Sequence, residues 1–212
     1  MEVTREERQL RWIAWVTSGV LIAVSLFLAK PGSTYRFAFL FLAPLLWLVY
    51  SLRHQLVLAP SHFALFASFL LLHNLGVFGF YRRHFLGLQF DVYVHFYFGL
   101  VGGFVVKRAF EQRCGWRGPW LVAAVGLFLL GIGAVHELVE CGTTILLGKE
   151  KGMLKLDPND PYDTQKDLLN NLLGALLAVA ISSVATRIRR KRTAARTEEE
   201  PGHRRLAHHQ SS

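Results

Sequence analysis

The sequence predicts an all-α, polytopic membrane protein, a bundle of about six transmembrane helices. Three observations point there. Of 212 residues, 52% are hydrophobic and only 18% are charged, where a soluble domain carries about 25% charged residues. The charge collects in loops and tails, leaving apolar runs close to the ~20 residues that a bilayer core requires. The mean hydropathy is positive. One helical bundle accounts for residues 1–188 as a single membrane domain, and the basic segment 189–212 reads as a disordered cytoplasmic tail.

The apolar runs lie at residues 12–29, 37–52, about 61–81, 91–110, 119–147 and 163–188. The first is too long for the apolar region of a signal peptide, and no site of small residues precedes Lys30 and Pro31, so it reads as a retained helix. The second is short for a span. The fifth is long enough to tilt or to extend beyond the bilayer. Lys and Arg set the orientation. The run Arg187, Arg189, Arg190, Lys191, Arg192, Arg196 follows the last span, and six spans then place Arg5, Arg8 and Arg11 on the same side. Lys107, Arg108, Arg113 and Arg117 join them, against Arg82, Arg83 and four lysines from Lys149 to Lys166. Both termini are expected in the cytoplasm.

The net charge of +9 does not imply nucleic acid, because the basic residues form no folded reading element. A basic run after a span is a topology signal and can touch anionic lipid. Cys114 and Cys141 fall at opposite ends of one span and cannot pair within the chain. His203, His208 and His209 in the tail read as solvated side chains rather than a metal site.

Against this apolar background stand Asp91, His95, His136, Glu137, Glu140, Asp163 and Asp167. Ionisable groups within spans are costly and mark functional sites by default. Asp91 and His95 open helix four; His136, Glu137 and Glu140 lie in the last third of helix five; Asp163, Asp167 and Asn171 open helix six. Helices four and six begin on the side where helix five ends, so the residues meet at one depth whichever way the chain inserts. Each set follows i, i+3 or i, i+4 spacing and shares a helix face. His73 and Asn74, in the outer half of helix three, are placed to join. Gly99, Gly102, Gly103, Gly126, Gly131, Gly133, Gly174 and Ala175 mark close packing of helices four to six. Helices one and two read as a surround facing lipid or a second copy.

Five carboxylates in one apolar pocket need protons or cations for compensation. A divalent metal is the simplest compensation, and carboxylate with imidazole suits Mn, Fe or Zn, or Mg where oxygen dominates. His136 to Glu140 reads H-E-x-x-E, which resembles the zincin H-E-x-x-H with its last histidine replaced. Simpler roles exist for single members. Asp91 and Asp163 sit at helix starts, where aspartate caps well, and a lone histidine commonly serves packing. Glu137, Glu140 and Asp167 have no cap to explain them. The expected roles are His95, Glu137, Asp163 and Asp167 as metal ligands, Glu140 or Asp91 as general base, and His136, Gln165, Asn171 and His73 in support. The chemistry such a site suits is metal-assisted hydrolysis or transfer on a lipid or lipid-linked phosphate. The competing readings are a transporter of protons or divalent cations and a non-catalytic membrane assembly or resistance factor.

The run Asp160-Pro-Tyr-Asp163-Thr-Gln-Lys-Asp167 leading to Gly174-Ala175, together with Asp91-x-x-x-His95-Phe with Gly99 and Glu137-Leu-x-Glu140, resembles the YjdF-like family of bacterial inner-membrane proteins. The likeness covers helices three to six. Similar spacing is shared, more loosely, with the VanZ-like proteins of glycopeptide resistance. The resemblance implies a small all-helical bundle in the bacterial plasma membrane and names no reaction. It carries Tyr in place of His136 and does not extend to Asn171. The set it implies is Asp91, His95, Glu137, Glu140, Asp163, Gln165 and Asp167.

Overall fold

The computed structural model describes residues 4–29, 34–148 and 162–207. Residues 1–178 form one compact unit and 179–212 a second; every candidate site residue belongs to the first. The polar 149–161 connection and His208 and His209 lie outside the described residues.

Six α-helices follow one another. α1 is Arg5–Ala23. Its Thr4 cap accepts a hydrogen bond from the Glu7 amide at 3.2 Å, and Glu6 and Glu7 complement the helix dipole. Leu10, Ala14, Thr17, Ser18 and Leu21 form its buried stripe, at the spacing of one helix face. A π turn, Val24–Leu28, extends it.

α2, Phe39–Ser51, follows a 3-10 turn at Thr34–Phe37. Its 13 residues rise only about 20 Å at 1.5 Å each, short of a core of about 30 Å. Five of the six helices are therefore long and apolar enough to cross a membrane, and α2 is not. The aromatic and leucine-rich run signalled hydrophobicity, but backbone length is what falls short.

α3 is Pro60–Asn74, opened by proline at its first turn and closed by a 3-10 turn, Leu75–Phe78, with Gly79 left-handed after it. A two-residue-stranded hairpin, β1 His84–Phe85 and β2 Leu88–Gln89, leads into α4, Phe90–Ala109. α5 is Gly118–Leu147 and α6 Asp163–Ala207. α6 continues as helix past Ile188, where the membrane domain was expected to end, because the Arg, Lys and Ala that follow are good helix formers.

The hydrophobic core was expected among helices four to six. The structure instead centres it on α1, α2, α3 and one face of α4: Leu21, Leu46, Phe63, Leu70 and Val101 are almost completely buried there. Side-chain bonds tie the same helices together. Trp47 Nε1 donates to Ser18 Oγ at 3.1 Å, Ser25 Oγ to Asn74 Oδ1 at 3.3 Å, and the Ser68 and Tyr97 hydroxyls meet at 2.8 Å. At the far end of α4, Lys107 is buried within the helix, inside the apolar run 91–110, and its Nζ reaches Glu111 at 2.8 Å.

α4, α5 and α6 meet differently, through absent side chains. A Cβ on Gly99 would overlap the Asn171 carbonyl, and one on Gly174 would overlap Phe96 O and lie 2.6 Å from Leu100 N. Added to Gly103, it would lie 2.7 Å from Ala178 Cβ. On Gly133 it would come 2.6 Å from Asn171 Nδ2. Only glycine permits this approach.

Candidate metal centre

The stripe of α4 that carries Gly99 and Gly103 toward α6 carries His95 and Asp91 one and two turns before Gly99. α6 mirrors it: Asp163, Asp167 and Asn171 precede Gly174, Ala175 and Ala178 on the same face. The backbone contacts at the glycines thus pin both stripes in register, and the ligand-type side chains converge just beyond the tight seam.

His95 is the hub. Its Nε2 lies 3.5 Å from Asp91 Oδ1 and 3.6 Å from Asp167 Oδ2. His95 and Asp167 are buried, and Asp91 is half-buried. From α5, the His136 ring stands 5.9 Å from the His95 ring, edge to face. His136 in turn lies between two carboxylates, with Nδ1 4.0 Å from Glu137 Oε1 and Nε2 3.8 Å from Glu140 Oε1. Two overlapping groups have ligand atoms all within 4.8 Å of one another: Asp91, His95 and Asp167, and His95, His136 and Glu137. Both are three-residue sets of the kind that holds a divalent ion.

Polar satisfaction is uneven here. Glu137 is 8% exposed. Its Oε2 accepts from Thr164 Oγ1 at 3.0 Å, while Oε1 has no hydrogen-bond partner among the described residues. Neither do His136 Nδ1 or the two amide atoms of Asn171, a residue only 1% exposed. Buried polar atoms are nearly always paired, so a cluster of exceptions calls for a cause. Carboxylate oxygens and imidazole nitrogens facing one another at 3.5–4.0 Å are too far apart for strong hydrogen bonds. They are close enough to converge on an ion held at about 2.0–2.2 Å from each. The donor set present therefore fits a divalent metal.

The remaining expected residues distribute as follows. Glu140 borders the cluster through His136. Asp163 is half-buried and within electrostatic reach of Asp91 and Asp167, outside both three-residue groups. His73 stacks on Phe69, and its ring lies 6.4 Å from that of His136. Its Nδ1 is hydrogen-bonded to the Tyr81 hydroxyl, which anchors it beside the cluster. Asn74 turns the other way, to Ser25 of the α1 extension. Gln165 is exposed on α6 and away from the convergence. Two participants were missed by the sequence reading: Thr164, which fixes Glu137, and Tyr81, which fixes His73. Thr164 sits inside the D-T-Q run and one turn before Leu168, where its face could have been read.

Comparison with known proteins agrees with this architecture. No solved structure matches the chain. "Inner membrane protein YjdF" of Escherichia coli (strain K12) is 31% identical over 175 residues, covering 81% of this chain and 77% of that protein. The family model described as "Predicted membrane protein (DUF2238)" matches residues 10–188. That match takes in all six helices, including the two that the motif resemblance did not reach, and every residue of the His95 cluster. This chain, an integral membrane protein, belongs to that family.

Proposed function

We propose that the protein is a metal-dependent membrane enzyme that hydrolyses or transfers a phosphoester of a lipid or lipid-linked substrate. One observation carries the reading: His95 stands at the junction of two ligand-spaced triads, with buried oxygen and nitrogen atoms around it that have no hydrogen-bond partner among the described residues. His95, Asp91 and Asp167 would hold the ion, with Glu137 and His136 as the adjoining set. This arrangement favours Asp91 as ligand rather than base. Glu140 is the better general base, since it is partly open to solvent and lies against His136, which can pass a proton. Such an ion supplies positive charge to a phosphate and lowers the pKa of bound water. Placement at the helix ends suits a headgroup whose acyl chains remain in the bilayer.

A transport role is less well supported. Beyond the cluster the α4–α6 seam closes on Gly103 against Ala175 and Ala178, which gives an ion no path along that seam. The test is elemental analysis of purified protein beside His95→Ala, followed by phosphate release from lipid phosphoesters with and without chelator. Wild-type protein should hold Mn, Fe, Zn or Mg and lose activity with chelator. Equal, trace metal in both proteins would sink the proposal.

The relative's printed location supports a bacterial plasma membrane for this chain too. Both termini are proposed to be cytoplasmic, on the Lys and Arg around the last span. Because α2 is short, the point turns on whether it crosses. Cysteines at Val3 and at Ser212 should both resist an impermeant reagent in intact cells. Labelling of only one end would show α2 to be re-entrant.

A further inference from the structure

The hairpin between α3 and α4 breaks a local rule without an internal reason. Its loop is Leu86-Gly87, with φ of 50° and 80°. Two positive-φ residues in a two-residue hairpin loop make the type that Asn, Asp and Gly dominate. A leucine there is strained, and this one is 98% exposed. The other positive-φ residue outside glycine among the described residues, Val57, is held in place: its carbonyl accepts Arg108 Nε at 2.8 Å, and the Leu58 amide bonds Arg53 O at 2.8 Å. No such contact engages the Leu86 side chain.

The base of the hairpin is rigid. Phe80, Phe85 and Phe90 pack ring on ring at 5.4–5.9 Å, Tyr93 donates to Phe85 O at 2.6 Å, and the Phe90 amide bonds Arg83 O. Leu88 is half-exposed on the second strand, and Arg83 lies exposed over the Phe80 ring. The hairpin joins two helices long enough to cross a membrane, one ending at Phe78 and the next beginning at Phe90. So short a link stays at the bilayer boundary. Its second strand runs straight into the turn that carries Asp91.

We propose that this hairpin is a lipid-engaging finger: Leu86 and Leu88 sit among acyl chains just below the headgroups, and Arg83 and His84 meet lipid phosphates. A strained, wholly exposed leucine is then explained by its solvent, since apolar tips with basic flanks partition to that zone. Because it abuts Asp91, the finger brings lipid to the mouth of the His95 cluster. It requires neither a bound metal nor catalysis.

The experiment uses full-length protein with Cys114→Ser, Cys141→Ser and Leu86→Cys, spin-labelled and reconstituted in vesicles of phosphatidylcholine and phosphatidylglycerol. Collisions with oxygen should be frequent and collisions with a water-soluble nickel chelate largely lost. Leu88→Cys, on the strand rather than the strained tip, serves as a second label and should report the same. Free access to the nickel chelate at both positions would overturn the proposal. Protection from both reagents would overturn it too, by showing that protein, such as a second copy, covers the finger.

Discussion

α4 belongs to two seams built on opposite plans. Toward α1, α2 and α3 it packs large side chains, and the polar groups there bond to one another: Ser25 to Asn74, Trp47 to Ser18, Ser68 with Tyr97. Toward α6 it packs glycine against backbone and toward α5 Gly102 against the Leu129 side chain, and Glu137 Oε1, His136 Nδ1 and the Asn171 amide have no hydrogen-bond partner among the described residues. Two buried asparagines make the contrast concrete. Asn74, in the first seam, accepts a hydrogen bond through Oδ1 and leaves only Nδ2 unpaired, whereas Asn171, in the second, pairs neither amide atom among the described residues. Polar side chains that satisfy one another hold a fold together. Those kept buried and unpaired in the tightest part of a bundle are retained at a stability cost, a cost that the proposed ion would offset.

The largest effects should come from disturbing the packing itself. Gly174→Leu forces side-chain atoms into Phe96 O and Leu100 N, and overpacking against backbone should cost about 3 kcal/mol or more. Leu46→Ala, in the first seam, should cost about 2–5 kcal/mol through its cavity. Thermal unfolding in detergent measures both. The seams separate on metal content: folded Leu46→Ala protein should retain it, and any folded Gly174→Leu protein should not. Identical metal content in the two would mean that the seams are not functionally distinct.

Next in size is the hub. His95→Gln removes a ligand common to both triads. The loss in metal affinity should exceed the roughly 10–100-fold typical of outer-shell substitutions, with helical content unchanged by circular dichroism. Asp167→Asn should follow closely. Asn has nearly the shape of Asp, so folding should survive, but the carboxylate oxygen 3.6 Å from His95 Nε2 is no longer available to an ion. Asp157→Asn, in the polar connection, should leave metal binding intact. If titration calorimetry finds both Asp variants like wild type, Asp167 is structural.

Much of this was legible in the chain because membrane helices obey two strong periodicities. The i, i+4 steps Asp91–His95, His136–Glu140 and Asp163–Asp167–Asn171 had to share faces, and the alternation of helix direction had to bring them to one end. The same geometry could have excluded Gln165: two residues from Asp163 is about 200° around the helix, and the structure leaves it exposed. Neighbours His73 and Asn74 are about 100° apart by the same rule, and one faces the cluster while the other faces α1. What could not be read was pairing between helices. Nothing in the spacing says that Tyr81 would reach His73, that Thr164 would reach Glu137, or that α1 and α2 would share the main core. Nor does the spacing say that Lys107 would be buried, where a single i, i+4 partner, Glu111, accommodates its charge.

The finest test compares one hydroxyl from each seam. Thr164 Oγ1 donates to Glu137 Oε2 at 3.0 Å, and Ser25 Oγ donates to Asn74 Oδ1 at 3.3 Å. Thr164→Val and Ser25→Ala each delete one donor to a buried acceptor, and each should destabilise the fold by about 1 kcal/mol, the net worth of such a bond. Their consequences for metal should differ. Thr164 orients a carboxylate whose other oxygen points at His136, so its removal should weaken metal binding roughly tenfold, in the range known for partners that orient ligands. Ser25 orients an amide that faces away from the His95 cluster and should leave affinity unchanged. Equal affinities for both variants would remove Glu137 from the ion's surroundings and leave Asp91, His95 and Asp167 as the set to examine.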